Sequence, residues 1–228
     1  MIYRGVLFDL DGTLLNTIED IATAANAVMR RHGFPEHIPD TYRWWVGEGI
    51  EQLLRRALPD EQLTPSLLQT CVDDMQAEYA QRWNQKTRPY NGIPELLIAL
   101  SDKKVKTAVL SNKPDNVVQV SVKKFLAGHS FAFVAGAQDP WPPKPDPAVA
   151  LEIAQQLHLS PAEFVYLGDT AVDMITARRA GMFPVGALWG FRDTDELKQA
   201  GAQKLISTAL ELLTLFPDPC PVEAIQKG

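Results

Sequence analysis

Short apolar runs alternate with amphipathic stretches along much of the chain. The run Val6-Leu7-Phe8 is wholly apolar, which is typical of a strand buried on both faces of a sheet, and it stops at Asp9. Further strands are predicted at 105–110, 131–134, 164–167, 184–188 and 204–206. Helical patterns lie between these strands. We therefore predict an α/β fold with a doubly wound, Rossmann-like parallel sheet and helices on both faces.

The segment 16–88 has a different pattern. Apolar residues recur at spacings of three and four, Pro59 and Pro65 break the segment into several helices, and no strand pattern is present. We predict that this segment is a helical cap inserted into the α/β core, which comprises 1–15 and 89–228, with hinges at the two linkers. The proline-rich end from about 217 is predicted to be a flexible tail.

Two aspartates follow the first strand directly. Asp9 and Asp11 are two residues apart, so an extended backbone would project both from the carboxyl end of the strand, where ligands bind in open α/β sheets. Two like charges this close need a counter-charge, and carboxylate oxygens suit Mg²⁺. Taken alone, the pair would also fit two solvated acids beside a turn glycine.

Similar chemistry recurs at the ends of later strands. These groups are Ser111 with Asn112, Lys144 in a proline-rich loop, and Asp169 with Asp173. Each is weak evidence by itself, because such a serine is often a helix cap and such a lysine is often solvated. A parallel sheet, however, brings the carboxyl ends of its strands to one edge.

This set of residues meets the requirements of phosphoryl transfer. A carboxylate can attack phosphorus and form an aspartyl-phosphate, and a second carboxylate can give a proton to the leaving oxygen and later take one from water. Mg²⁺ and a lysine offset charge on the transferring group, while a hydroxyl and backbone amides orient it.

Composition narrows the classes of function. The chain has 228 residues and a net charge of −6, and its pI of about 5.2 argues against nucleic acid as the main partner. No apolar stretch is long enough for a membrane span, and Asp9 and Asp11 interrupt the N-terminal apolar run that a signal peptide would need. We predict a cytoplasmic protein without a membrane partner. The histidines and cysteines match no zinc-binding spacing.

The motifs resemble those of the haloacid dehalogenase-like phosphohydrolase superfamily. Its DxDGT signature corresponds to Asp9–Thr13, its strand-end serine to Ser111, its loop lysine to Lys144, and its acidic GDxxxD motif to Gly168–Asp173. The resemblance covers nearly the whole chain, and four motifs in the right order make it highly specific. Within the superfamily the sequence is most similar to phosphoglycolate phosphatases, and the segments that carry this similarity are 47–49, 111–114 and 188–191.

The resemblance implies a role for each motif residue. Asp9 would be the nucleophile and Asp11 the general acid and base. Asp9, the backbone carbonyl of Asp11 and Asp169 would hold Mg²⁺, with Asp173 close to the ion through water or bonded to Lys144. The phosphoryl group would be bound by Gly12, Thr13, Ser111, Asn112 and Lys144. The helical insert would be a mobile cap that excludes water and contacts the substrate.

The resulting hypothesis is a Mg²⁺-dependent phosphatase for a small phosphorylated metabolite, with 2-phosphoglycolate as the first candidate. Asp11 favours phosphate chemistry, because related dehalogenases lack this second aspartate. Alternatives within the superfamily are phosphatases for sugar phosphates, nucleotides or pyrophosphate, and a phosphosugar mutase. A receiver-like signalling protein and a noncatalytic binding protein are further alternatives. Three arginines of the insert fit either a second substrate anion or a solvated helix face: Arg43, Arg55 and Arg56. The oligomeric state is left open.

Overall fold

A computed structural model describes residues 3–217 of the chain. The strands are β1 Gly5–Phe8, β2 Leu15–Asn16, β3 Arg88–Pro89, β4 Lys106–Pro114, β5 Phe133–Ala137, β6 Phe164–Gly168, β7 Phe183–Ala187 and β8 Lys204–Ile206. The α-helices are α1 Ile18–Arg31, α2 Pro39–Arg43, α3 Ile50–Ala57, α4 Pro65–Arg82, α5 Ile93–Asp102, α6 Asp115–Phe125, α7 Ala148–Gln156, α8 Ala171–Ala180 and α9 Thr194–Ala200. Short 3-10 helices lie at Asp60–Gln62, Pro161–Glu163 and Ala209–Leu215. The predicted tail lies outside the described residues from 218 onward.

Six strands form one sheet in the order β5-β4-β1-β6-β7-β8, and all of its neighbouring strands pair in parallel. The central strand β1 is buried on both faces. Val6 and Phe8 pack into an apolar core that includes residues of α5 and α6, whereas Leu7 packs into a second core with residues of α7 and α8. The predicted α/β fold with a doubly wound parallel sheet is thus confirmed.

Several element boundaries differ from the sequence expectation. Strand β4 continues past Ser111 to Pro114, because a register shift after Leu110 lets Pro114 pair with Ala137. Strand β5 lies two to three residues later than predicted, since its pairing with β4 begins at Phe133. The last helical segment is a 3-10 helix, and its N-cap is Thr208, one residue later than Ser207, the cap that the sequence favours.

Helices α1 to α4 share an apolar core of their own. Ile21, Leu54 and Met75 belong to it, together with Phe191 from the loop after β7. The chain leaves the sheet region through β2 and returns through β3, and these two strands pair antiparallel, with Leu15 opposite Pro89. The boundaries predicted for a separate cap domain stay a prediction. None of the helices described between residues 3 and 217 has the length and apolar character needed to cross a membrane.

Asp20 ties the start of the helical segment to its end. This carboxylate is buried and accepts hydrogen bonds from the backbone N–H of Lys86 at 3.0 Å and from the backbone N–H and hydroxyl of Thr87 at 2.9 and 2.8 Å. Buried amides without partners cost free energy, so these bonds specify where α1 and the return linker meet.

We expect Asp20→Ala to lower the free energy of unfolding by about 2 kcal/mol or more, because buried N–H groups would lose their acceptor. Asp40→Ala is the control, since the Asp40 side chain is 71% exposed, and its effect should stay within about 0.5 kcal/mol. Urea denaturation of both variants measures the difference. Equal free energies of unfolding for the two variants would show that the Asp20 hydrogen bonds make no net contribution to stability.

Candidate active site

Charged side chains converge at the carboxyl edge of the sheet, beyond β1, β4 and β6. Most of them are buried, which is unusual for ionisable groups and requires that each has a partner. The set consists of four carboxylates and two ammonium groups: Asp9, Asp11, Asp169, Asp173, Lys113 and Lys144. All the predicted site residues lie at this edge or in the loops beside it.

Lys144 joins two of the carboxylates. Its Nζ lies 2.8 Å from Asp9 Oδ1 and 2.7 Å from Asp173 Oδ1. Burial alone would lower the pKa of this ammonium, but the charges of Asp173 and Asp9 outweigh burial and raise its pKa. Lys144 is therefore a fixed positive charge beside Asp9.

Asn112 positions the backbone of Lys144. Its Oδ1 accepts from the Lys144 N–H at 2.8 Å, and its Nδ2 donates to the Lys144 carbonyl at 3.0 Å and to the Gly47 carbonyl at 3.1 Å. Both ends of the Asn112 amide are thus occupied. The phosphate contact predicted for Asn112 stays a prediction, and its side chain acts here on the lysine loop.

Asp169 is held from two sides. The Thr13 hydroxyl donates to Oδ1 at 2.9 Å, and the Phe191 N–H donates to Oδ2 at 2.8 Å. A Cβ added to Gly12 or Gly190 would lie 2.2 Å from an Asp169 atom, and Gly12 has a φ of +89°. Glycine is therefore required at both positions. Thr13, predicted to bind phosphate, uses its hydroxyl to orient Asp169.

Three carboxylates can offer oxygens to one metal ion. Ligand atoms of Asp9, Asp169 and Asp173 lie within 4.8 Å of one another. Burial and then the charge of Asp173 raise the pKa of Asp169 to about 7, and the same two causes raise the pKa of Asp9 well above its usual range. When all four carboxylates are ionised, the two lysines leave two negative charges without a counter-charge. An oxygen-preferring divalent cation fits both the ligands and the charge.

Asp11 is directed to a different lysine. Lys113 Nζ lies 2.8 and 3.2 Å from the two oxygens of Asp11 and 2.7 Å from the hydroxyl of Tyr79 on α4. The expectation that Asp9 and Asp11 share one direction assumed an extended backbone. Strand β1 ends at Phe8, before either aspartate, so the common direction of the two side chains stays a prediction. Both aspartates nevertheless line one cavity.

This cavity has a volume of about 360 Å³ and lies between the sheet edge and the helical segment. Its polar floor includes Asp9, Asp11 and Ser111, and Ser111 is buried with its hydroxyl 3.3 Å from the Lys113 N–H. The wall from the helical segment is mainly apolar and includes Ile21, Val46, Ile50, Leu53 and Met75. The space is suited to a small molecule with one charged end.

Sequence reasoning gave no role to Lys113, Tyr79 or Arg192. Lys113 follows Ser111 by two residues, and residues two apart in a strand have their side chains on the same face of the sheet. This spacing could have indicated that Lys113 lies at the same site as Ser111. Arg192 is buried and donates to the carbonyls of Arg43, Trp44 and Val46. No sequence pattern links residues so far apart in the chain.

Comparison with known proteins agrees with this geometry. Residues 6–187 match the family described as haloacid dehalogenase-like hydrolase. A phosphoglycolate phosphatase of Pseudomonas putida is 30% identical over 95% of this chain and 80% of its own length. A phosphoglycolate phosphatase of Aquifex aeolicus is 31% identical over 82% of this chain and 86% of its own length.

Solved structures give the same result. The crystal structure of a protein from Lactobacillus delbrueckii subsp. bulgaricus has a TM-score of 0.90 and 29% identity, and the match covers 96% of this chain and 100% of that one. A predicted phosphoglycolate phosphatase from Haemophilus somnus has a TM-score of 0.87 and 26% identity, covering 94% and 98%. From the family match and its sequence relatives, the chain belongs to the haloacid dehalogenase-like hydrolases.

Proposed function

We propose that this protein is a Mg²⁺-dependent phosphatase that hydrolyses a small phosphomonoester through an aspartyl-phosphate on Asp9. The observation that carries the proposal is the contact of 2.8 Å between the buried Lys144 and Asp9, which lies on the polar floor of the cavity. The relatives named above act, by their names, on phosphoglycolate, so 2-phosphoglycolate is the first candidate substrate. A cytoplasmic location stays a prediction.

The residues divide the reaction into two steps. In the first, an Asp9 oxygen bonds to phosphorus while the bond from phosphorus to the leaving oxygen breaks, and Asp11 gives that oxygen a proton. In the second, water attacks the phosphorus of the aspartyl-phosphate, Asp11 takes the proton of the water, and Asp9 is released. Because Lys144 contacts Asp9 Oδ1, Oδ2 is the oxygen left for the attack.

The transferring group carries negative charge that the site must offset. Lys144 provides a fixed positive charge, and the buried hydroxyl of Ser111 provides a donor on the same cavity floor. Asp9, Asp169 and Asp173 would hold Mg²⁺, together with the backbone carbonyl of Asp11 that the resemblance implies. When bound, the ion supplies charge neutralisation for the phosphoryl oxygens.

We expect Asp9→Asn to lower phosphate release by about a thousandfold or more, because the amide is a poor nucleophile. Asp102→Asn is the control with the same change of charge, since Asp102 is exposed at the end of α5. Phosphate release from a panel of phosphomonoesters that includes 2-phosphoglycolate measures both. Unchanged release by Asp9→Asn would contradict the proposal, as would a wild-type phosphoenzyme that persists for minutes.

Mg²⁺ should stabilise the protein more at about pH 8 than at about pH 5.5. The pKa of Asp169 is raised to about 7 in the fold, so the metal-free fold binds more protons than the unfolded chain and loses stability as pH rises from about 4 through about 7. At the higher pH Asp169 is ionised, and bound Mg²⁺ offsets its repulsion from the neighbouring carboxylates. At the lower pH Asp169 is protonated, so there is less repulsion for Mg²⁺ to offset.

Thermal unfolding in EDTA and in Mg²⁺ at both pH values tests this linkage. We expect a rise in Tm of at least about 3 °C with Mg²⁺ at the higher pH and a smaller rise at the lower one. Asp169→Asn should abolish most of the rise, whereas Asp102→Asn should keep it. A rise that is independent of pH, or one that survives in Asp169→Asn, would contradict the assigned metal site.

Asp11→Asn should separate turnover from metal binding. We expect turnover to fall by about a hundredfold to ten-thousandfold, because the amide cannot transfer a proton. The Mg²⁺-dependent rise in Tm should remain, since the Asp11 carboxylate contacts Lys113 and lies outside the carboxylate cluster. If Asp11→Asn lost the rise as Asp169→Asn does, the division of roles would be wrong.

A further inference from the structure

We propose that Lys113 recognises an anionic group on the leaving half of the substrate. The enzyme would then select phosphomonoesters whose leaving group carries a carboxylate or a comparable anion. This inference rests on the proposed phosphatase function and concerns the part of the cavity beyond the phosphoryl group.

Among the residues that line the cavity, Lys113 alone carries a positive charge. The three arginines of the helical segment are used elsewhere. Arg43 donates to the Gly190 carbonyl at 2.6 Å, Arg55 pairs with Glu51 at 2.7 Å, and Arg56 pairs with Glu48. None of the three lines the cavity. An anion that enters this space therefore has one cation to contact besides those around Asp9.

The neighbours of Lys113 fix the position of its ammonium group. Its side chain is 6% exposed, and its Nζ lies between Asp11 and Tyr79, with the Tyr79 ring centroid 4.8 Å away. Burial raises the pKa of Tyr79 to about 12 although the charge of Lys113 opposes this, so the Tyr79 hydroxyl stays neutral and does not offset the ammonium charge. Asp11 is the one carboxylate that contacts the ammonium group.

The ammonium also has hydrogen-bonding capacity for a ligand. Its three N–H bonds serve the Tyr79 oxygen, the nearer Asp11 oxygen at 2.8 Å and the farther one at 3.2 Å. The longest of these contacts is the weakest and can be exchanged for a ligand oxygen without loss of the other two. Lys113 can thus bind an anion and still hold Asp11.

The position of Lys113 also limits the length of the substrate. In the proposed reaction Asp11 lies beside the leaving oxygen, and Lys113 Nζ lies 2.8 Å from Asp11. An anionic group one or two carbons from the ester oxygen is therefore within reach. The apolar wall of Ile50, Leu53 and Met75 provides no second cation for a longer or more highly charged group.

The test compares 2-phosphoglycolate with ethyl phosphate, in which a methyl group replaces the carboxylate. Wild type should prefer 2-phosphoglycolate in kcat/KM by about tenfold to a hundredfold, the range expected for a hydrogen bond to a charged group. Lys113→Met should lower kcat/KM for both substrates, because Asp11 loses its partner. The loss should be about tenfold to a hundredfold greater for 2-phosphoglycolate, chiefly through a higher KM, so that the preference disappears. Lys113→Arg should restore part of the preference.

Two results would overturn the inference. One is a wild-type enzyme without preference between the two substrates, and the other is an equal loss on both substrates in Lys113→Met, which would limit Lys113 to holding Asp11. If Lys113→Met does not fold, Tyr79→Phe takes its place. It keeps the ring and removes the contact of 2.7 Å, so it should reduce the preference in the same direction, and an unchanged preference in this variant would count against the inference.

Failure of the proposed function has a separate signature. In that case wild type with Mg²⁺ would release no phosphate from either substrate or from p-nitrophenyl phosphate, which carries an activated leaving group. Release from p-nitrophenyl phosphate and from ethyl phosphate, with no advantage for 2-phosphoglycolate, would leave the phosphatase intact and reject the role of Lys113.

Discussion

The balance of buried charge at the carboxyl edge of the sheet is the constraint on which the rest of the structure depends. Four carboxylates meet there, of which Asp11 is partly exposed and the other three are buried, and a buried charge is costly unless a partner offsets it. Lys144 bridges Asp9 and Asp173, and Lys113 pairs with Asp11. The remaining negative charge suits a divalent cation, which the proposed transfer of a phosphoryl group also requires.

The fold provides the rigidity that this balance needs. β1 pairs with β4 on one side and β6 on the other, so the backbone that leads into Asp9 is held by hydrogen bonds on both sides. Asp169 follows β6, and hydrogen bonds from Thr13 and Phe191 fix both of its oxygens. Because these carboxylates cannot move apart, their charges must be offset by lysines or a cation within the site. That requirement links the packing of the core directly to the chemistry of the site.

The sequence allowed the sheet, its central strand and the clustering of the motif residues to be predicted, because these follow from local periodicity and from a general property of parallel sheets. The bond between Lys144 and Asp173 was one of two alternatives that the family resemblance implied, and it is present at 2.7 Å. Other partners of individual side chains were not predicted. Thr13 orients Asp169, and Asn112 holds the loop of Lys144, through contacts between distant parts of the chain. The pairing of Asp11 with Lys113 was not predicted for the same reason, since the two residues lie far apart in the chain.

The pairing of β2 with β3 has a consequence for the history of such proteins. The helical segment leaves and re-enters the sheet at neighbouring points, where Leu15 faces Pro89 and Asp20 accepts from Thr87. An insertion whose two ends meet costs little in loop closure and leaves the host sheet undisturbed. Over evolution, segments of different length can therefore be joined to the sheet at this pairing, so that the wall of the cavity changes while the charged edge of the sheet is kept.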